Sequence, residues 1–337
     1  MSIAPSSVTT AKTPFFDKKI GIAIILGNTI AWGDFALYAY FSPVLAHVFF
    51  PFTSQANAYI LYFVVFALGF LFRPFGAALA GTFADTHGRK NTLLATVCIS
   101  SILTALIGCL PSYDTIGFFS PLLLTVLRIL QTMSVSAEPT NSGSLLIEHA
   151  PHHRKGLVSS CVMIGIFLGF LLGILSFLLI TDYLTEAEIV NWGWRVPFLS
   201  NVVIGSLVAL FLITAHESPI FLAKKAQGLL PKAPFKTAFT SHKMAMFVSF
   251  GYSLMMAVTN YFLLGFIPNF LNQDMGLNLK LSNLYITISL VITVILIPLM
   301  GMWSDKIGRR PILAGGALGY IIFGYPILWL MSSGKPL

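Results

Sequence analysis

Two charged side chains, Asp34 and Arg128, lie deep inside long apolar runs. A charge near the centre of a bilayer costs roughly 2.5–3.5 kcal/mol on insertion scales, so each is a functional candidate by default. Burial disfavours the charged form of a carboxyl, which is what a reversible proton site needs. Tyr38 follows Asp34 by one helical turn, on the same face. Arg128 opens a polar series with Gln131, Glu138 and Asn141. Spacings of three and seven keep this series on one slowly drifting helical stripe. Lipid cannot satisfy such a stripe, so it must face protein or water. A guanidinium there can clamp a carboxylate with two parallel hydrogen bonds. Two readings stay open beside these. Asp34 can be a structural partner of Arg73 or Arg128, and the stripe can be glue between helices.

A second pattern is repeated. Gly81-Thr-Phe-Ala-Asp85-Thr-His-Gly88-Arg89-Lys90 recurs 220 residues later as Gly301-Met-Trp-Ser-Asp305-Lys-Ile-Gly308-Arg309-Arg310, each between two apolar runs. Two copies in one hydropathic setting indicate an internal duplication of membrane helices. Gly81 is expected to let helices approach closely, and Gly88 to permit a tight turn. Asp85 can pair with Arg89 or with a neighbouring helix end, forming a latch. Neither copy has the G-x-x-x-x-G-K-[ST] spacing of a phosphate loop.

The elements that must hold these residues are membrane helices. The chain is 56% hydrophobic and 9% charged, against about 25% charged for a soluble domain. Hydropathy predicts helices over residues 20–41, 56–79, 92–110, 116–146, 157–180, 196–214, 244–271, 283–300 and 311–331. The fold class is therefore an all-α polytopic membrane protein: six helices, a basic linker, then three. The predicted divisions are a tail (1–19), a six-helix bundle (20–214), a central loop (215–243) and a partial second bundle (244–337). The polar tail has no cleavage site after a short apolar core, so the first helix is expected to be retained. With the tail placed in the cytoplasm, fifteen Lys and Arg fall on the inner side and three on the outer. This asymmetry fixes the orientation and absorbs the net charge of +8 without a nucleic-acid surface. Cys98, Cys109 and Cys161 lack metal-ligand spacing and read as buried small hydrophobes. His152-His153 beside Arg154-Lys155 reads as a solvated basic turn. Gly165, Gly169 and Gly173 form a ladder suited to close helix packing.

In this arrangement the chain resembles the major facilitator superfamily, and within it the metabolite:proton symporter branch of proline/betaine, shikimate, citrate and 2-oxoglutarate carriers. The resemblance rests on the paired loop motif and on Gly27-Asn28, Trp32, Asp34-Phe35, Tyr38, Arg73-Pro74-x-Gly76, Arg128-x-x-Gln131 and Glu138. It continues in Glu148-x-x-Pro151-x-x-Arg154-x-Gly156, Trp192-Gly-Trp-Arg195-x-Pro197-Phe198 and Glu217-Ser-Pro219-x-Phe221. Ala31 and Gly33 stand where the family pattern has Glu and Tyr. Thr132 and Ser136-Ala137 replace its glycines. The family has twelve helices, so the resemblance implies that helices 10–12 are missing.

The resemblance implies a proton-coupled symporter of a small organic acid, zwitterionic amino acid or osmolyte, working by alternating access. Its solute would bind near the midplane between helices 1, 4 and 7, with Asn260 and Tyr261 contributing from the second half. The motif residues Gly81, Asp85, Gly88, Arg89, Lys90, Gly301, Asp305, Gly308, Arg309 and Arg310 would form the cytoplasmic gate. A truncated, transport-inactive relic is the alternative. The expected partners are solute, proton and the lipid of a cell inner or plasma membrane, with a monomer as default and no nucleic acid. No cofactor, metal site or catalytic role is expected, because no Ser-His-Asp set, metal cluster or cofactor loop appears.

Overall fold

Apolar runs punctuated by glycine, proline and charge fold as helices in the computed structural model. It describes residues 18–151, 153–229, 240, 243–262, 267, 270–271 and 275–332. The helices in the first part are α1 (Lys18–Tyr40), α2 (Ser42–Phe49), α3 (Gln55–His87), α4 (Arg89–Cys109), α5 (Tyr113–Ile116), α6 (Phe119–Ser134), α7 (Glu138–His149), α8 (Lys155–Tyr183) and α9 (Glu186–Glu188). A π turn over Ile189–Gly193 leads into α10 (Arg195–Thr214), followed by the short α11 (Pro219–Ala226). The second part holds α12 (Lys243–Tyr261), α13 (Leu279–Ile307) and α14 (Arg309–Ser332). Among the described residues eight segments are long and apolar enough to cross a bilayer, α6 and α7 counting as one; Lys243–Thr259 in α12 is a shorter apolar helix. On α3, Leu71, Phe75 and Leu79 point outward, as side chains facing lipid should.

Four expectations are corrected. The first motif is not a loop: α3 continues through Gly81 and Asp85 to His87, and Gly88 alone turns the chain into α4. Its φ of +106° lies in the region that favours glycine, and Gly308 repeats the turn at φ +94° between α13 and α14. The predicted fourth helix is broken at residues 135–137, because Pro139 at the start of α7 cannot continue the α6 ladder. The polar segment after α10 is partly helical, with Ser218 capping α11 through the Phe221 amide. Cys109 is exposed rather than buried.

α1 is the central element, packed along α8 and flanked by α10, α4 and α7. The glycine ladder makes the α1–α8 contact possible: a Cβ on Gly169 would sit 2.7 Å from the Gly33 nitrogen and from the Thr29 oxygen. One apolar cluster surrounds this seam, including Ile20, Ile24, Val162, Ile166 and Ile174. A second, richer in aromatics, joins the end of α1 to α2, the start of α3, Trp194 and Phe198. The second part meets the first through α13 on α8.

Candidate functional site

Asp34 leaves α1 where α4 and α10 close against it. The Thr104 hydroxyl donates to its Oδ2 at 2.6 Å, and the Asn201 amide donates to its Oδ1. Gln131 carries the chain onward. Its Nε2 donates to Thr104 Oγ1 at 2.6 Å, and its Oε1 accepts from Arg128 Nη1 at 2.6 Å. A continuous hydrogen-bonded line therefore joins a carboxylate on α1 to a guanidinium on α6. Asp34, Gln131 and Arg128 are 2%, 2% and 3% exposed, so bulk water does not screen the line. Bonds in such a chain polarise one another in a low-dielectric interior.

Arg128 is also laid on aromatic faces. Its guanidinium carbon lies 4.2 Å from the Tyr38 ring centroid, 4.8 Å from Phe66 and 5.7 Å from Phe35. Tyr38 is held in place by stacking on Tyr62, with centroids 4.4 Å apart, and Tyr62 Oη donates to the Tyr38 carbonyl at 2.5 Å. Arg73 repeats the arrangement 5.0 Å from Phe70 and 5.6 Å from Trp32. Trp32, Phe35, Phe66 and Phe70 are only half-buried. The result is a strip of aromatic faces that already holds two cations. Each such contact contributes roughly 0.5–2 kcal/mol, more where the cation is desolvated.

Four of the predicted residues, Asp34, Tyr38, Arg128 and Gln131, are thus brought together. Glu138 and Asn141 are not part of that line. The break before α7 turns them toward the earlier part of α1, where a Cβ on Gly27 would lie 3.5 Å from Glu138 Oε1. There the Asn28 amide donates to the Ile24 carbonyl at 3.0 Å and to Ser142 Oγ at 3.2 Å. Asn260 and Tyr261 are in α12, but their side chains lie outside the described residues. Thr104 and Asn201 belong to the site although the sequence patterns do not single them out. The available signal was an amide within the apolar run of α10.

Both motif copies take part in helix capping, in opposite senses. Glu217 Oε1 accepts from the Arg89 amide at 3.0 Å and the Lys90 amide at 3.1 Å, placing an anion at the start of α4. Arg89 pairs with Asp85 at 3.2 Å and approaches Glu148 at 4.0 Å. Lys90 Nζ donates to the Ile213 carbonyl at 2.7 Å, near the end of α10. In the second copy the aspartate itself is the cap. Asp305 accepts from the Gly156 and Leu157 amides at 2.7 and 2.9 Å, at the start of α8, while Arg309 binds it at 2.6 Å. Gly301 and Gly156 touch: a Cβ on Gly301 would lie 2.8 Å from the Gly156 oxygen. Gly81 makes no such approach, since a Cβ there would meet nothing within 4 Å among the described residues. The close-packing role expected of Gly81 therefore belongs to its counterpart. Arg310 is exposed.

A family model described as Major Facilitator Superfamily matches residues 20–337. The chain is 32% identical over 327 residues to a proline/betaine transporter of Escherichia coli K12, covering 94% of this chain and 65% of that one. The same identity and coverage relate it to a glycine betaine/proline/ectoine/pipecolic acid transporter of Dickeya dadantii. The chain thus spans just under two thirds of the length of these relatives. Among solved structures it resembles a proton:xylose symporter bound to 6-bromo-6-deoxy-D-glucose, with a TM-score of 0.72 at 21% identity over 89% of this chain and 71% of that one. An inward-open form of the Escherichia coli xylose transporter aligns with a TM-score of 0.61 at 23% identity, over 90% and 72% of the two chains. These structural likenesses concern the fold.

Proposed function

The chain belongs to the major facilitator superfamily, and from that membership and its likeness to proline/betaine transporters we propose that it is a metabolite:proton symporter, coupling inward proton flow to uptake of a small zwitterionic solute. The observation that carries this reading is the position of the Arg128 guanidinium, laid on aromatic faces and tied through Gln131 and Thr104 to Asp34. A zwitterion has both charges needed to rearrange that set. Its ammonium competes for the ring faces, and its carboxylate takes the fork of the guanidinium. Arg128 then turns from the rings and from the line that ends at Asp34, so solute binding is felt at the carboxylate. The names of the relatives, proline and betaine transporters, agree with a solute of this class.

The solute would lie between residues 20–214 and 244–337, with residues 215–243 as the cytoplasmic connection and Lys18 and Lys19 on the inner side. Alternating access then rocks one part against the other about the α8–α13 seam. The Asp305 cap and the Gly156–Gly301 contact close that seam on the motif side.

The test is uptake of radiolabelled proline and glycine betaine by proteoliposomes holding the purified protein. Accumulation is expected under an inward proton gradient and should collapse with a protonophore. Absence of uptake for both solutes, or accumulation indifferent to the protonophore, would sink the reading. Asp34→Asn should abolish accumulation, because Arg128 then lacks its counter-charge in the solute-free state and solute binding is no longer felt at a carboxylate.

A further inference from the structure

Among the described residues both carboxyl oxygens of Glu138 are buried without a hydrogen-bond partner, on a residue 1% exposed. Asp34 offers the contrast, with a donor on each oxygen. An ionised carboxylate with neither donor nor cation is a form the protein interior does not sustain. Among the described residues the surroundings supply no cation. α1 presents Gly27, Asn28 and, two turns further on, Asp34, whose charge has the same sign. α4 presents Val97, α7 adds its own Asn141 and Ser142, and the α8 backbone touches this group at Gly165, against Asn28.

Two amides on the helices that meet here, Asn28 next to Gly27 on α1 and Asn141 on α7, are incompletely bonded in a complementary way. Among the described residues Asn141 Nδ2 is a buried donor without an acceptor, and Asn28 Oδ1 a buried acceptor without a donor. Asn141 lies one turn from Glu138 on α7, within reach of its carboxyl after a rotamer change. A neutral acid can donate to the Asn28 oxygen, and an ionised one can accept from the Asn141 amide. The cluster is therefore equipped for both protonation states of one carboxyl, and the described geometry satisfies neither completely. We propose that Glu138 is the group that carries the transported proton, with Asn28 receiving its O–H when it is neutral and Asn141 donating to it when it is ionised. The step is a protonation only. Hydronium passes a proton to a Glu138 oxygen, its own O–H bond breaking as the carboxyl O–H forms and water leaving; release to water is the reverse exchange. Asp34 remains the counter-charge of Arg128. The proposal rests on the symporter reading above and assigns its proton to a site on the motif-bearing side of the solute network.

Infrared difference spectra of the purified protein between acid and alkaline buffer read the carboxyl directly, with no solute needed. The wild type should show the C=O band of a buried neutral acid; Glu138→Gln should lose it, and Asp34→Asn should keep it. In proteoliposomes Glu138→Gln should exchange labelled for unlabelled proline or glycine betaine across the bilayer, yet fail to accumulate either against its gradient. Glu138→Asp, which keeps the acid, should restore part of the accumulation. A band that persists in Glu138→Gln overturns the assignment, and so does gradient-driven accumulation at the wild-type level. A wild type that carries neither solute would instead overturn the symporter reading, while the infrared band still decides the fate of the carboxyl. A merely adhesive role for Glu138 would leave coupling intact in the isosteric Gln variant.

Discussion

Gly88 and Gly81 sit in one motif and meet opposite constraints. Gly88 holds φ +106° and ψ +156°, a region open in practice only to glycine. A Cβ there would also lie 2.2 Å from Glu217 Oε2, the cap of α4. Gly88→Ala should therefore lose roughly 1–3 kcal/mol from backbone strain, and more as the cap is displaced. The measurement is the melting temperature in detergent. Gly81 is helical with open space around its Cβ position, so Gly81→Ala should leave that temperature unchanged or raise it slightly. Equal losses in both variants would contradict the assignment. The sequence pattern gives the two glycines one importance, because a motif records residue type and spacing but not which neighbour is close. The same limit applies in the polar network. Asp34 and Arg128 were legible because a charge in an apolar run needs a partner. Thr104 and Asn201 were hidden, because a neutral polar residue is tolerated in a membrane helix whether or not it bonds to a charge.

At the scale of elements, α1 is positioned by contacts that leave no room for a side chain. A Cβ on Gly173 would stand 2.3 Å from the Ala36 Cβ, and one on Gly165 2.6 Å from the Ile25 oxygen. Gly169→Leu should wedge α1 away from α8 at the level of Gly33, pulling Asp34 out of reach of Thr104 and Asn201. The expected result is overpacking of about 1–3 kcal/mol, with loss of the proposed gradient-driven uptake even in protein that still purifies as a single species. Retained uptake would show that the seam tolerates more separation than the contacts imply. α4 is fixed at its two ends instead. Glu217 caps its first amides, and Arg195 Nη1 donates to the Gly108 and Leu110 carbonyls at 2.8 and 2.6 Å. Glu217→Ala should lower stability by about 0.5–2 kcal/mol, as other lost N-caps do, read again as a melting shift. The glycine ladder was legible from its four-residue spacing. The break between α6 and α7 was not, since hydropathy alone joins residues 119–149 into one span. Pro139 directly after Glu138 was the signal, and it matters because the break sets α7 against α1, with Ser142 bonded to Asn28 and Glu138 beside Gly27.

For the whole molecule the question is what holds the two parts together on the motif side. Eight of the nine predicted spans were legible, because each needs about 20 apolar residues whatever it packs against; at the ninth, predicted over 244–271, the described helix is the shorter Lys243–Tyr261. The seam was not, because it depends on which faces of α8 and α13 meet, and both helices are apolar all round. Its polar element is Asp305, which reaches from α13 to the first amides of α8 while bound by Arg309. Gly156 and Gly301 contribute close contact but no directional bond. Asp305→Ala should therefore open the seam at this end and leave the rest of the fold in place. Spin labels at Lys155→Cys and Lys306→Cys, in a background with Cys98, Cys109 and Cys161 replaced by serine, report the separation by pulsed electron resonance. The parent should give a short, narrow distance distribution, and Asp305→Ala a population shifted to longer distance. Asp85→Ala should leave that distribution unchanged, because Asp85 pairs with Arg89 at the start of α4 and lies on the other motif copy. A distribution indifferent to Asp305→Ala would move the closing force to apolar packing and remove the latch. A shift in Asp85→Ala of the same size would mean that the two copies act as one unit, which the separate caps on α4 and α8 do not predict.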